Sequence, residues 1–299
     1  MKRIVFVALA ALALLSCRSN QTEAAPPVSG QRVQPALWKV SDADTTIYLF
    51  GTIHLLPKDL AWQSPKIDKA IRASDTLMLE TVLDPDPAKT AAIMVQLGVS
   101  PNLPPLLDRV PANKRAALQK VVDKAGVPMA VLDKFKTWAA ALTLASAGLR
   151  DLNASAEYGA EKVLTARFAA VHKPVAGLET PTQQLGYFDA LPEAAQRTFL
   201  VSIADDDSNA EAEFNKMIAA WSAGDVKQIA LTFDDELKLS PELSEALLRR
   251  RNANWAAWIQ ARMAKPGTVF MAVGAGHLAG PDSVEAMLAA KGIKAVRLQ

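Results

Sequence analysis

Hydrophobic runs that stop at a glycine or a carboxylate recur along this chain, and between them apolar residues fall at helical spacing. Thr45-Thr46-Ile47-Tyr48-Leu49-Phe50 is β-branched and aromatic and leads into Gly51-Thr52-Ile53-His54, which predicts a strand closed by a sharp turn. Ser64-Pro65 reads as a helix start, serine as cap and proline in the first turn, with Ile67, Ala70 and Ile71 on one face. Thr76-Leu77-Met78-Leu79 is a second strand and ends in Glu80. The C-terminal part repeats the plan. Thr268 to Val273 feeds Gly274-Ala275-Gly276-His277, a helix spans Asp282 to Ala290, Gly292 ends it, and Ile293 to Leu298 forms the last strand. A third unit lies between them, a helix from about Ala156 to Val171 and a strand from Pro174 that finishes at Glu179. This alternation specifies an α/β fold with a mostly parallel central sheet covered on both faces. Ligands of such sheets bind beyond the carboxyl ends of the strands, where His54, Glu80, Glu179 and His277 all fall.

Residues 111–150 and 191–262 show no comparable strands. Leu118, Val121, Val122 and Ala125, then Phe214, Met217, Ile218 and Trp221, keep helical spacing, which predicts helical insertions that cap the sheet's active edge. In a helix from about Pro241 to Met263, Leu247, Arg251, Trp255, Trp258 and Arg262 share one stripe. An arginine on the side of two tryptophans needs an anion or a carboxylate, unless its stem lies along the rings and its guanidinium stays in water. Asn252 beside it could hydrogen-bond a strand end or a substrate amide. If Arg251 serves the site, its replacement by methionine is expected to weaken ligand responses while changing the melting temperature little.

The two Gly-x-x-His tetrapeptides carry the sharpest chemical signal. Glycine lets the backbone turn where a strand ends, so the imidazole three residues on is aimed over the sheet edge. Either histidine alone reads as a turn residue with ordinary backbone hydrogen bonds. Two in equivalent settings, with two strand-end glutamates, point to one crevice. His54 and His277 with Glu80 or Glu179 form a first shell for one divalent ion with a position open to water, the spare glutamate acting as base. The same residues could also work without metal, a glutamate orienting a histidine that deprotonates water. Either glutamate could instead be structural, pairing with an arginine or a helix N-terminus. His172, in Val171-His172-Lys173-Pro174, reads as a surface turn residue.

Composition narrows the partners. The 299 residues carry 33 Lys plus Arg against 31 Asp plus Glu, half of them are apolar, and there is one cysteine, which excludes a disordered chain and a disulfide scaffold. Without Lys2 and Arg3 the balance is 31 to 31, and the longest basic run is Arg249-Arg250-Arg251, so nucleic acid is excluded as a partner. Those two residues open a secretion signal: an apolar run from Ile4 to Leu15 that is too short, at about 18 Å, to span a bilayer, then Ser16-Cys17. The alternative is an ordinary signal peptide that happens to end in a cysteine. The Leu14-Leu15-Ser16-Cys17 sequence resembles a bacterial lipobox. That resemblance implies a signal peptide over residues 1–16, lipidation at Cys17 and, with Arg18 following, sorting to the outer membrane. The polar, Pro-containing stretch 17–35 reads as a flexible tether to the membrane.

From residue 36 to 299 the chain resembles the TraB/PrgY/GumN group, which includes the animal TIKI proteins. The resemblance rests on Leu37-Trp38-Lys39-Val40, Tyr48 to His54, Glu80, Gly177-Leu178-Glu179-Thr180 with Gln183-Gln184, Arg251-Asn252 with Trp255, and Val273 to Gly280. It implies an α/β fold like that of erythromycin esterase and the haem-binding ChaN lipoproteins, with both Gly-x-x-His motifs, a glutamate and an arginine at one site. TIKI members are metal-dependent peptidases that prefer Mn or Co. The expectation is therefore a periplasm-facing lipoprotein with a metallohydrolase site, a peptidase using Mn, Co or Zn on a peptide or small-molecule substrate. Its catalytic set is His54, Glu80, Glu179, Arg251, Asn252 and His277, with His54, His277 and Glu80 as metal ligands. The competing expectations are a non-enzymatic periplasmic binding lipoprotein, for haem or a peptide signal, and a metal-independent His/Glu hydrolase.

Overall fold

The computed structural model describes residues 33–205, 210–237 and 240–299. The expected signal peptide, Cys17 and all but the last residues of the expected tether lie outside them. Among the described residues no helix is long and apolar enough to cross a membrane.

The strands are β1 (Leu37–Ser41), β2 (Thr45–Thr52), β3 (Thr76–Thr81), β4 (Val175–Glu179), β5 (Gly267–Gly274) and β6 (Val296–Arg297). They form one sheet in the order β4-β3-β5-β2-β1-β6. Strands β4, β3, β5 and β2 run parallel, whereas β1 lies antiparallel to β2 and to β6. This is the α/β fold with a mostly parallel central sheet that the alternating pattern specifies.

The strand order goes beyond the sequence expectation, and two details differ from it. The units β2–helix–β3 and β5–helix–β6 interlock: β5 inserts between β2 and β3, so the second Gly-x-x-His strand becomes the direct neighbour of the first. The last strand contracts to Val296–Arg297, because β6 is an edge strand that pairs only with Trp38 and Lys39 of β1. The helix expected from Ala156 breaks at Gly159 into a turn, Ala156–Tyr158, and a helix, Ala160–Ala170. The cause is close approach, since a Cβ at Gly159 would collide with the carbonyl oxygen of His54.

The helices are α1 (Pro65–Ala73), α2 (Pro87–Gly98), α3 (Arg115–Ala125), α4 (Met129–Leu132), α5 (Thr137–Gly148), α6 (Ala160–Ala170), α7 (Pro181–Asp189), α8 (Glu193–Ala204), α9 (Ala210–Ser222), α10 (Val226–Leu237), α11 (Pro241–Ser244), α12 (Arg250–Arg262) and α13 (Val284–Ala290). A π turn, Glu245–Arg249, joins α11 to α12. Ser64 caps α1 through the Ile67 N–H, as its sequence predicts.

Alternation along β5 sorts its side chains to two faces. Phe270 and Ala272 join Phe50, Leu77 and Leu79 in a core covered by α1, α6 and α9, with Trp221 and Trp62 packed on Phe50. Val269, Met271 and Val273 join Ile47 and Leu49 in a core covered by α12 and α13, including Trp255 and Ile259. A third core is all helical. Its centre is α5, buried on nearly every side, packed with Met94, Leu118, Leu185, Phe199 and Leu247.

This helical cap grows from the carboxyl edge of the sheet, because β3 runs on toward α2 and β4 into α7, and both helices contribute to it. Residues 111–150 lie within the cap or run back from it. Residues 191–262 divide: α8 and α11 join the cap, α9 packs on one sheet face and α12 on the other. The division follows from where each apolar stripe finds cover, and helical spacing alone does not specify the partner.

Candidate active site

Thr52 and Gly274 are in register across the parallel pair β2–β5, so the two Gly-x-x-His turns leave the sheet side by side. They touch directly: a Cβ on Gly51 would sit 3.1 Å from the Cα of Ala275. Glycine is needed at 51 for this approach rather than for an unusual backbone angle. Glu80 lies one strand over on β3, and Glu179 ends β4 beyond it. Asn252 is fully buried, and Arg251, His277, Glu80 and Glu179 are nearly so.

Arg251 holds this cluster together. Its Nη2 donates to Glu80 Oε2 at 2.7 Å and to Glu179 Oε2 at 2.8 Å, and its Nε donates to Glu179 Oε1 at 3.0 Å. Its Nη1 donates to the Leu247 carbonyl at 3.3 Å and meets His277 Nε2 at 3.2 Å. The guanidinium lies over the Trp255 ring at 4.8 Å and the Tyr187 ring at 5.7 Å. The inward, paired arrangement holds, and the alternative with the guanidinium in water does not.

The two glutamates are held differently. Glu179 also accepts from Trp255 Nε1 at 3.1 Å, Gln184 Nε2 at 3.2 Å and the Tyr187 hydroxyl at 3.4 Å. With so many donors it is the anchor of Arg251. Glu80 accepts from the Gly274 N–H at 2.6 Å and from Gln184 Nε2 at 3.3 Å, and its Oε1 lies 3.7 Å from His277 Nε2. Glu80 therefore touches the second Gly-x-x-His turn at both its glycine and its histidine.

Each imidazole is gripped from behind. Asn252 Nδ2 donates to the carbonyls of Asp282 at 2.7 Å and His277 at 3.4 Å. That turns Asn252 Oδ1 to His277 Nδ1, 2.6 Å away, so Nδ1 carries the proton and the Nε2 lone pair faces Arg251 and Glu80. His54 Nδ1 lies 2.7 Å from Glu161 Oε1, and the same oxygen accepts from the Thr52 hydroxyl. His54 Nε2 is buried with no partner, as are Gln184 Oε1, Glu161 Oε2 and the Thr81 hydroxyl.

Burial and charge set the protonation states. Burial pushes the His277 imidazole down to about 3, because the pull of Glu80 does not outweigh it and Arg251 adds to it. Burial also works against ionisation of Glu80, but Arg251 foremost, with the neighbouring imidazoles and the Gly274 N–H, holds that carboxyl at about 2. For His54 burial is overcome by Glu161, with help from Glu80, and its imidazole rises to about 8. The two glutamates likewise overcome the burial of Arg251 and raise it above its ordinary value.

All six residues expected from the sequence thus converge on the carboxyl edge, although His54 is bonded to Glu161 and not directly to the other five. Among the described residues no three His, Cys, Asp or Glu side chains are gathered as a ready cation cage, and Arg251 bonds both glutamates and contacts His277. His172 is exposed with φ of 55°, as a surface turn residue would be. Glu161, Thr52 and Tyr187 were not legible as site residues. The one available signal for Glu161 was a glycine two positions ahead of it at the start of a helix.

The class defined here is a mostly parallel α/β protein whose strand ends bring two histidines and two glutamates together with a buried arginine from α12. The chain belongs to the TraB/PrgY/gumN family, whose model matches residues 36–297. No curated protein and no solved structure matches it.

Two outcomes follow. Arg251→Met leaves two buried carboxylates without their cation, so it should cost about 3–5 kcal/mol in urea unfolding. The expectation of a nearly unchanged melting temperature is thereby reversed, and a loss below about 1 kcal/mol would contradict the pairing. The second concerns pH. The native state refuses the proton that unfolded His277 takes up between pH 6.5 and about 3, so this contribution is full above 6.5 and falls as pH drops. Glu80 adds to the fall between 4.5 and about 2, while the contribution of His54 runs oppositely and fades as pH rises through about 8. His277→Gln should therefore flatten the dependence of unfolding free energy on pH between 6.5 and 4.5. An unchanged slope would show that His277 is not the group responsible.

Proposed function

We propose that this protein is a metal-dependent hydrolase, a peptidase, working at the paired Gly-x-x-His turns. The observation that carries the reading is the pair of imidazoles on adjacent strands, each tied at Nδ1 by an outer partner, so that each Nε2 remains to meet a ligand. Metal binding requires an unprotonated imidazole: His277 is already neutral, and the orphaned, buried Nε2 of His54 fits a ligand position once that ring, raised to about 8, gives up its proton. His54, His277 and Glu80 would hold a divalent ion such as Mn, Co or Zn. When bound, it supplies Lewis acidity toward a carbonyl and lowers the pKa of water.

The chain's own residues do the rest. Arg251, fixed by Glu179, holds Glu80 in place beside His277, and only its Nη1, if freed from His277, would have a donor to offer an anionic group. Ligation at His277 requires Arg251 Nη1 to release its 3.2 Å contact with that ring. Glu80 stands close enough to His277 to act as ligand or proton acceptor. The helical cap grows from the same sheet edge that carries the site.

The same reading takes Cys17 as the lipidated residue of a signal-bearing precursor, with the domain tethered in the cell envelope at the outer membrane and facing the periplasm. Its support is the Leu14-Leu15-Ser16-Cys17 sequence after a short apolar run.

A chain starting at Gly30 should melt at a higher temperature with Mn, Co or Zn, and should cleave a peptide library in the presence of the preferred ion. His54→Ala and His277→Ala should each abolish the shift and the cleavage, while His172→Ala should keep both. Cleavage without any metal response would favour the metal-independent His/Glu hydrolase. Neither response would favour a binding protein for haem or a peptide signal. For the anchor, the full-length chain should fractionate with membranes and Cys17→Ser should accumulate as unprocessed precursor. Equal maturation and release of both forms would exclude lipidation.

A further inference from the structure

No motif points to Glu161, yet the first Gly-x-x-His turn is fastened to its segment at several points. Leu56 and Ser155 exchange backbone hydrogen bonds of 3.2 and 3.0 Å, and the Ala160 N–H donates to the Ile53 carbonyl at 3.1 Å. Gly159 packs so closely on the His54 peptide that a Cβ would strike its carbonyl oxygen. The backbone before and after His54 is therefore clipped to residues 155–160. Glu161, the next residue, then receives both the His54 ring and the Thr52 hydroxyl on a single carboxylate oxygen.

We infer that Glu161 is the positioning residue of His54, holding the imidazole with its proton on Nδ1 and its Nε2 lone pair turned into the crevice. Hydrogen-bond chemistry supports the assignment. With the proton on Nε2, a lone pair on Nδ1 would face a carboxylate oxygen 2.7 Å away, and a buried N–H would have no acceptor, at a cost of about 1–3 kcal/mol. With the proton on Nδ1 the short contact is a charge-assisted hydrogen bond. A carboxylate at a helix N-terminus also has a generic explanation in the helix dipole. Glu161 differs from that case because its side chain is only 19% exposed and its bonded oxygen serves two residues of the β2 turn rather than the helix.

The site thereby has two matched supports, Asn252 behind His277 and Glu161 behind His54, one from each helix flanking the crevice. That Glu161 serves metal binding rests on the metallohydrolase reading; the tautomer it imposes does not.

The test separates the two. The protein has three histidines, so histidine-labelled nitrogen spectra of the metal-free chain, at a pH where the imidazoles are neutral, resolve each ring. His54 should show a protonated Nδ1 and an unprotonated Nε2. Glu161→Leu should lose that preference, and Glu161→Gln, whose amide oxygen can accept the same proton, should keep it. In titration calorimetry zinc affinity should fall 10–100-fold in Glu161→Leu and recover in part in Glu161→Gln. A wild-type His54 protonated on Nε2, or an unchanged tautomer in Glu161→Leu, would overturn the assignment. If Glu161→Leu fails to fold, the wild-type and Glu161→Gln tautomers still decide it. If the tautomer is as stated but the wild type binds no zinc, manganese or cobalt, the metal reading fails and the positioning role stands.

Discussion

A guanidinium buried between two carboxylates is tolerable only if every charge finds its partner, and Arg251, Glu80 and Glu179 meet that condition across three separate elements. Glu80 comes from β3, Glu179 from the end of β4, and Arg251 from α12 just after a π turn. Removing Arg251 strands two carboxylates in the interior, so the ion network fixes how the sheet edge, α7 and α12 meet. Trp255 and Tyr187 complete it by hydrogen-bonding Glu179 and packing on the guanidinium. The network and the site are the same object.

The insertion of β5 between β2 and β3 is what makes one crevice from residues some 220 positions apart in the chain. Parallel neighbours deliver both Gly-x-x-His turns to the same edge, and Gly51 lets them pack on each other. Each histidine then depends on an outer partner from a different helix. His54 and His277 are consequently unlike in charge behaviour: Glu161 raises the first, while the second, backed by a neutral amide, stays unprotonated.

Hydrophobic, β-branched runs ending in glycine or glutamate made the strands, and the four strand-end residues, legible. Arg251 was legible as an inward arginine because helical spacing put it with Trp255. What escaped were relations that local pattern does not encode. The sequence order β2, β3, β5 gives no hint that the third lies between the first two. Glu161 looks like any acidic residue in a first helical turn, and its role depends on Gly159 approaching a loop a hundred residues away. The cap could not be apportioned for the same reason, since α9 and α8 have similar apolar spacing yet pack on different cores. The saturation of Glu179, which marks it as the anchor rather than the exchangeable carboxylate, depends on donors from Tyr187, Gln184 and Trp255.

That the site is organised by this buried ion network can be measured without knowing the substrate. A double-mutant cycle between Arg251→Met and Glu179→Gln, followed by urea unfolding at pH 7, isolates their mutual dependence. A coupling of about 2–3 kcal/mol is expected, because the second substitution removes a charge that the first has already left unpaired. Additive losses, with a coupling within about 0.5 kcal/mol of zero, would contradict the central role assigned to Arg251.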